Sequence, residues 1–226
     1  MTNSFLASGK TSNNELVTKT YMMLALSLIP TILGAVVGMK LNWGSEVMSG
    51  MMGLVAFFGL FAATIVMIFA MRKAGDTPMG VSILMLFTFV MGLFLSASIE
   101  RTLKLANGSV LVVVAAAGTM TMLFAMSILN KFLNRDLGWM GKGLFIALIA
   151  LVVMTVIGLF FPSKLMVVLI SGLAFVLFSV YLLYDLNQLA NGGEDSYVMA
   201  TLSIYLDLLN IFTSLLNLLG ISFGDD

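Results

Sequence analysis

The chain has 226 residues, 60% of them hydrophobic and 10% charged, far below the roughly 25% charge of a soluble domain, and it reads as an integral membrane protein. Cysteine and histidine are both absent, which excludes disulfides, thiol nucleophiles, cysteine zinc sites and the usual imidazole pH switch, so any proton sensing must rest on carboxylates. Formal net charge is zero, and no run of like charges offers a nucleic-acid face.

In chain order, the opening "MTNSFLASGKTSNNELVTK" is polar and lacks the basic-then-apolar layout of a cleaved signal peptide. Residues 1–17 read as a polar tail ahead of a single domain over 18–222. Charge-poor intervals then predict an all-α bundle of seven transmembrane helices at 18–39, 47–71, 78–99, 107–130, 141–161, 164–189 and 197–220. Each is long enough to cross a hydrocarbon core about 30 Å thick at about 1.5 Å per residue.

Breakers punctuate these spans. Pro30 inside the first removes a donor from the Leu26 carbonyl and predicts a kink, and Gly34 and Gly38 form a GxxxG pair suited to packing within the chain. "GDTPMG" offers Asp76 or Thr77 as an N-cap with Pro78 in the first turn of the third span. "FFPSK" closes the fifth span at Pro162, and "ANGGEDSY" supplies glycines to end the sixth and Asp195 or Ser196 to cap the seventh.

Lysine and arginine set the orientation. The tail and the second and fourth loops hold Lys10, Lys19, Arg72, Lys73, Lys131, Arg135 and Lys142, and the other side holds Lys40, Arg101, Lys104 and Lys164. The excess predicts a cytoplasmic N-terminus and, with seven spans, Asp225 and Asp226 outside.

The seventh span carries a pattern that hydropathy misses. Ser203, Asp207, Asn210, Ser214 and Asn217 recur at helical spacing and share one face, while Leu202, Ile204, Leu208, Leu209, Phe212, Leu215, Leu216 and Leu219 suit lipid or other helices. A shorter stripe on the sixth span, Ser171, Tyr181, Asp185 and Gln188, is expected to face it, because the short connection makes the two helices antiparallel neighbours.

An ionised aspartate at a bilayer centre costs about 2.5–3.5 kcal/mol even on an insertion scale, so Asp207 must be buried against protein or water. Two carboxyls in contact cannot both ionise cheaply and therefore share a proton. Arg72, at the end of the second span, is placed to bridge an ionised Asp185 or Asp207. Plainer readings stand beside these: Asp207 as a hydrogen-bonding device between helices, Asp185 as a solvated helix end, Arg72 and Lys73 as positive-inside anchors. Depth poses a problem too, since Asp207 falls roughly 15–18 Å along its helix and Asp185 near the end of its own.

"VYLLYDLNQ" (180–188), followed by "ATLSIYLDLLNIFTSLLNLLG" (200–220), resembles the C-terminal signature of the Bax inhibitor-1 family, which includes bacterial YccA-like proteins. "KTYMMLALSL" (19–28), "FAMRK" (69–73) and "NRDLGWMG" (134–141) extend the resemblance over essentially the whole chain. Gly138 departs from it, standing where a serine commonly follows "RDL".

What the resemblance implies is a multi-pass protein of the bacterial inner membrane and a pH-sensitive calcium leak. In it Asp185 and Asp207 form the sensing and gating pair, with Arg72 as latch. Calcium is expected to touch the two carboxylates in transit. Apart from the resemblance, no cofactor is expected, and the chain is read as a monomer. The loop "NGGEDSY" (191–197) is similar to that of the YccA-like branch, which implies as an alternative an interaction protein modulating a membrane-bound ATP-dependent protease. Two membrane aspartates also raise the question of an aspartyl protease, but "LYDLN" and "YLDLL" lack the glycine-flanked context of one, and no enzymatic activity is expected.

Overall fold

A computed structural model describes residues 2–43, 50–133, 135–161 and 163–223, the side chains of 2–13, 50–52, 54, 56 and 57 excepted. Its helices, in order, are α1 (Thr2–Lys40), α2 (Gly50–Ala74), α3 (Pro78–Leu103), α4 (Gly108–Phe132), α5 (Gly141–Phe160), α6 (Lys164–Asn191) and α7 (Tyr197–Phe223). A 3-10 turn at Gly138–Met140 leads into α5. Among the described residues there is no β-strand. The predicted start of the second span at 47–49, Pro162, and the acidic pair Asp225 and Asp226 lie outside them. α1 takes in the polar residues that precede the first span and runs unbroken through Pro30.

Among the described residues six stretches are long and apolar enough to cross a membrane: Asn14–Lys40, Pro78–Leu103, Gly108–Phe132, Gly138–Phe160, Lys164–Asn191 and Tyr197–Phe223. Helix is the form such segments take because every backbone N–H and C=O must find its partner within the segment when water is excluded. Hydroxyls follow the same rule by bonding back to their own helix. Ser27 donates to the Leu24 carbonyl at 2.7 Å, Thr119 to Ala115 at 2.8 Å and Ser179 to Phe175 at 2.6 Å.

The chain divides into two compact units, Met1–Glu100 with Glu194–Leu202, and Arg101–Gly193 with Ser203–Asp226. In the first, α1 and α3 approach until their backbones nearly touch. A Cβ on Gly34 would strike the Phe89 carbonyl and lie 3.1 Å from the Leu93 nitrogen, and one on Gly92 would strike the Thr31 carbonyl. At Gly38 the added carbon would sit 2.7 Å from Ser96 Cβ. The GxxxG pair is thus spent inside the chain, with Gly92 as its counterpart on α3, and Leu84, Phe87 and Thr88 are fully buried nearby. In the second unit α4 and α5 both pack on α6, and the 3-10 turn rests on α5 and α6.

Candidate functional site

α6 begins at Ser163, whose hydroxyl accepts the Met166 N–H at 3.1 Å. It ends at Gly192 in the left-handed conformation (φ 75°), with the Gly193 N–H returning to the Gln188 carbonyl at 2.8 Å. That closure favours a residue without a Cβ at Gly192. Asp185 therefore stands about 9 Å before the end of its helix, and Asp207 about 15 Å after the start of α7.

The offset does not keep them apart. Both belong to the second unit, and the Asp207 carboxyl lies within hydrogen-bonding and electrostatic range of the Asp185 carboxyl. Asp207 is 3% exposed, its Oδ2 is buried without a hydrogen-bond partner, and Asp185 is half-buried. The Tyr181 hydroxyl, one turn before Asp185, is within electrostatic reach of both carboxyls. Two carboxyls at this range can hydrogen-bond only if one of them carries a proton, since an ionised carboxylate only accepts.

The remaining stripe residues differ in role. Ser214 is buried, whereas Ser203, Asn210 and Asn217 are half-buried. Asn210 spends its amide on its own helix, donating to the Leu206 carbonyl at 2.7 Å. Gln188 donates to the Tyr184 hydroxyl at 3.2 Å, so its amide is engaged along α6. On α7 the apolar residues Leu202, Ile204, Leu208 and Leu216 are buried; that face packs on protein. Arg72 occupies the last turn of α2 with its side chain exposed, in the first unit.

Two devices were not legible in the sequence, one built on a residue not singled out there and one on a residue that looked suited to another task. Asn187, 1% exposed, has its Oδ1 accept the Leu137 N–H at 2.8 Å, while its Nδ2 donates to Asn130 Oδ1 at 2.8 Å and to the Arg135 carbonyl at 3.1 Å. Asn130 in turn donates to the Leu186 carbonyl at 3.0 Å. The α4–α5 loop is thereby sewn to the turn of α6 next to Asp185. The other is Asp76. Thr77, not Asp76, caps α3, accepting the Gly80 N–H at 3.3 Å. Asp76 reaches instead to the start of α7, where it accepts from Ser196 Oγ at 2.7 Å and from the N–H groups of Tyr197 and Val198 at 3.2 and 3.1 Å.

Between α5 and α6 lies a groove of about 340 Å³ lined by Leu144, Leu151, Met154, Leu173, Leu177 and neighbouring alanines and valines. Its lining offers no side-chain oxygen to a cation. Among the described residues no three acidic, histidine or cysteine side chains gather into a metal-holding group.

The family model described as "Inhibitor of apoptosis-promoting Bax1" matches residues 13–224. The chain belongs to the Bax inhibitor-1 family. Three bacterial proteins are similar to the chain over most of their length. A Campylobacter jejuni protein, Cj0236c, is 34% identical over 204 residues, covering 90% of this chain and 87% of the relative. The Neisseria meningitidis protein NMA0420 is 33% identical over 218 residues, 95% and 94% of the two chains. The Escherichia coli protein YccA, named a modulator of FtsH protease, is 26% identical over 214 residues, 95% and 93%. With its apolar helices and these relatives, this Bax inhibitor-1 family member is a multi-pass protein of the bacterial inner membrane.

Proposed function

We propose that the chain is a proton-responsive cation leak with calcium as permeant ion, gated at Asp185 and Asp207. The observation that carries this reading is the approach of a buried carboxyl on α7 to one on α6 in a membrane protein without histidine. Seven spans, a cytoplasmic N-terminus and a monomeric chain complete the proposal. α2 supplies the seventh span and brings Arg72 to the cytoplasmic side. With the pair ionised, Arg72 compensates it and holds the path shut; a proton on the pair weakens that attraction and releases the latch. Calcium, a hard cation that takes six to eight oxygens, is touched in transit by the two carboxylates and otherwise by carbonyls and water, too few protein ligands for a resident site.

Calcium flux into proteoliposomes, followed against pH, tests the proposal. Wild type should conduct more at acid than at alkaline pH; Asp185→Asn and Asp207→Asn should lose that dependence, and Arg72→Gln should leak at every pH. Wild-type flux equal to that of protein-free vesicles ends the channel reading.

A second reading rests on the similarity to YccA: modulation of a membrane-bound ATP-dependent protease. Its contact surface would be the polar residues ahead of the first span and the cytoplasmic loops. Removing residues 2–17 should then abolish co-purification with such a protease, and association that survives the deletion excludes the tail as the handle.

A further inference from the structure

The α4–α5 connection combines exposed aromatic rings with exposed cations at the rim of two spans. Phe132, 78% exposed, is the last residue of one apolar stretch, and Trp139, 79% exposed, is the second residue of the next. The short connection sets both rings at the same end of their spans, where the amphipathic indole of Trp139 favours the membrane–water boundary. Lys131, Arg135 and Lys142 are exposed in the same segment. Its acidic residue, Asp136, is turned to the backbone, where Oδ1 accepts the Gly138 N–H at 2.8 Å.

This surface is also held rigid. Leu137 is buried with its N–H on Asn187, and the Arg135 carbonyl accepts from the same amide, so the backbone is fixed from within while the Arg135 and Trp139 side chains stay outside. Fixing a binding loop in advance removes much of the ordering cost that a ligand would otherwise meet. A net positive, ring-bearing surface at headgroup depth matches the anionic headgroup of a phospholipid whose chains run beside α4 and α5. Cations of this kind favour anionic lipid by up to about five-fold each.

We propose that residues 131–133 and 135–142 form a binding seat for anionic phospholipid, with Lys131, Arg135 and Lys142 on the headgroup phosphate and Phe132 and Trp139 against its glycerol and upper chains. It stands whatever passes, or fails to pass, at the aspartate pair.

The chain contains two tryptophans, so Trp43→Phe leaves Trp139 as the single reporter, and a phenylalanine ring keeps the edge-on contact that Trp43 makes with Phe94. The full-length variant would be placed in phosphatidylcholine bilayers containing either brominated phosphatidylglycerol or brominated phosphatidylcholine at matched mole fraction. Trp139 should be quenched at least about two-fold more by the anionic lipid. The preference should fall to parity in high salt and in Lys131→Gln/Arg135→Gln/Lys142→Gln, and persist in Asp136→Asn. Equal quenching by the two lipids overturns the proposal. So does a preference that survives the triple substitution, or a loop that loses its lipid contact to a co-purifying acidic protein. Should Trp43→Phe misfold, phosphatidylglycerol retained by purified wild type against the triple variant decides the same question, since the three altered side chains are exposed.

Discussion

Asp76 and Ser196 are joined by a 2.7 Å hydrogen bond from the serine hydroxyl to the aspartate Oδ1, although they stand 120 positions apart in the chain. The same carboxylate accepts the N–H groups of Tyr197 and Val198, while Ser196 Oγ accepts the Met199 N–H at 3.2 Å. The first turn of α7 thus has its unpaired donors met by one cap of its own and one borrowed from the α2–α3 turn. That turn is itself set by Gly75 in the left-handed conformation (φ 59°).

Asp76→Ala should cost about 1–2 kcal/mol, the size of a lost N-cap. Asp76→Asn, which retains an acceptor oxygen, should cost less than half as much. Thermal unfolding in detergent measures the loss, and faster amide exchange at Tyr197 and Val198 than at Leu208 would localise it. Unchanged exchange at those two amides would show the cap to be energetically idle.

Gly34 and Gly92 test the α1–α3 contact. Alanine at either position must force backbone from backbone, because the first atoms met are carbonyls of the facing helix rather than movable side-chain ends. About 1–3 kcal/mol of destabilisation is expected, as for overpacking generally. Gly59→Ala, where nothing lies within 4 Å, should be neutral or mildly stabilising. A Gly34→Ala protein as stable as Gly59→Ala would mean that the helices slide apart at no cost.

Asn187→Leu removes one partner from each of three groups, Leu137 N–H, Asn130 Oδ1 and the Arg135 carbonyl. Leaving buried polar groups unmet costs about 1–3 kcal/mol apiece, partly relieved here by loop movement, so a total loss of about 2–4 kcal/mol is expected. A double-mutant cycle with Asn130→Leu should give a coupling of about 0.5–3 kcal/mol. Strict additivity of the two single changes would contradict the direct amide–amide bond.

Asp207→Asn keeps a hydrogen bond to Asp185 by placing an amide donor where a shared proton would sit. Asp207→Leu gives Asp185 neither a donor nor an acceptor. Stability at neutral pH should therefore rank asparagine above leucine, with the gap about 1–3 kcal/mol. Chemical unfolding of both variants beside wild type measures it, and an inverted order would remove the aspartate contact as a structural element.

Much of this arrangement was readable in advance because charge is so sparse: among the described residues, intervals poor in lysine, arginine and acids fall on helices, and the four-and-three spacing on α7 marked Asp207 as facing protein. The GxxxG pair on α1 was readable as packing, yet its counterpart Gly92 was not, because a lone glycine in an apolar span has no periodicity to betray it. Hydropathy left open whether Leu202, Ile204, Leu208 and Leu216 met lipid or helix, since leucine is equally at home in both. Asn187 was hidden by its neighbours: it lies between Asp185 and Gln188 but points to another side, and a search for one polar face passes it over. Asp76 and Thr77 both looked able to cap the helix they precede. Local spacing cannot reveal that Thr77 takes that task and frees Asp76 for a partner far along the chain.

The borrowed cap on α7 also bears on how the protein is made. Residues up to 100 leave the ribosome before Ser196 is translated, so the carboxylate that receives the last helix can already stand at the membrane surface when that helix emerges. The final segment then docks against a finished receptor, and a chain whose early turn is misplaced would be expected to reveal itself to quality-control proteolysis through a loose C-terminal helix.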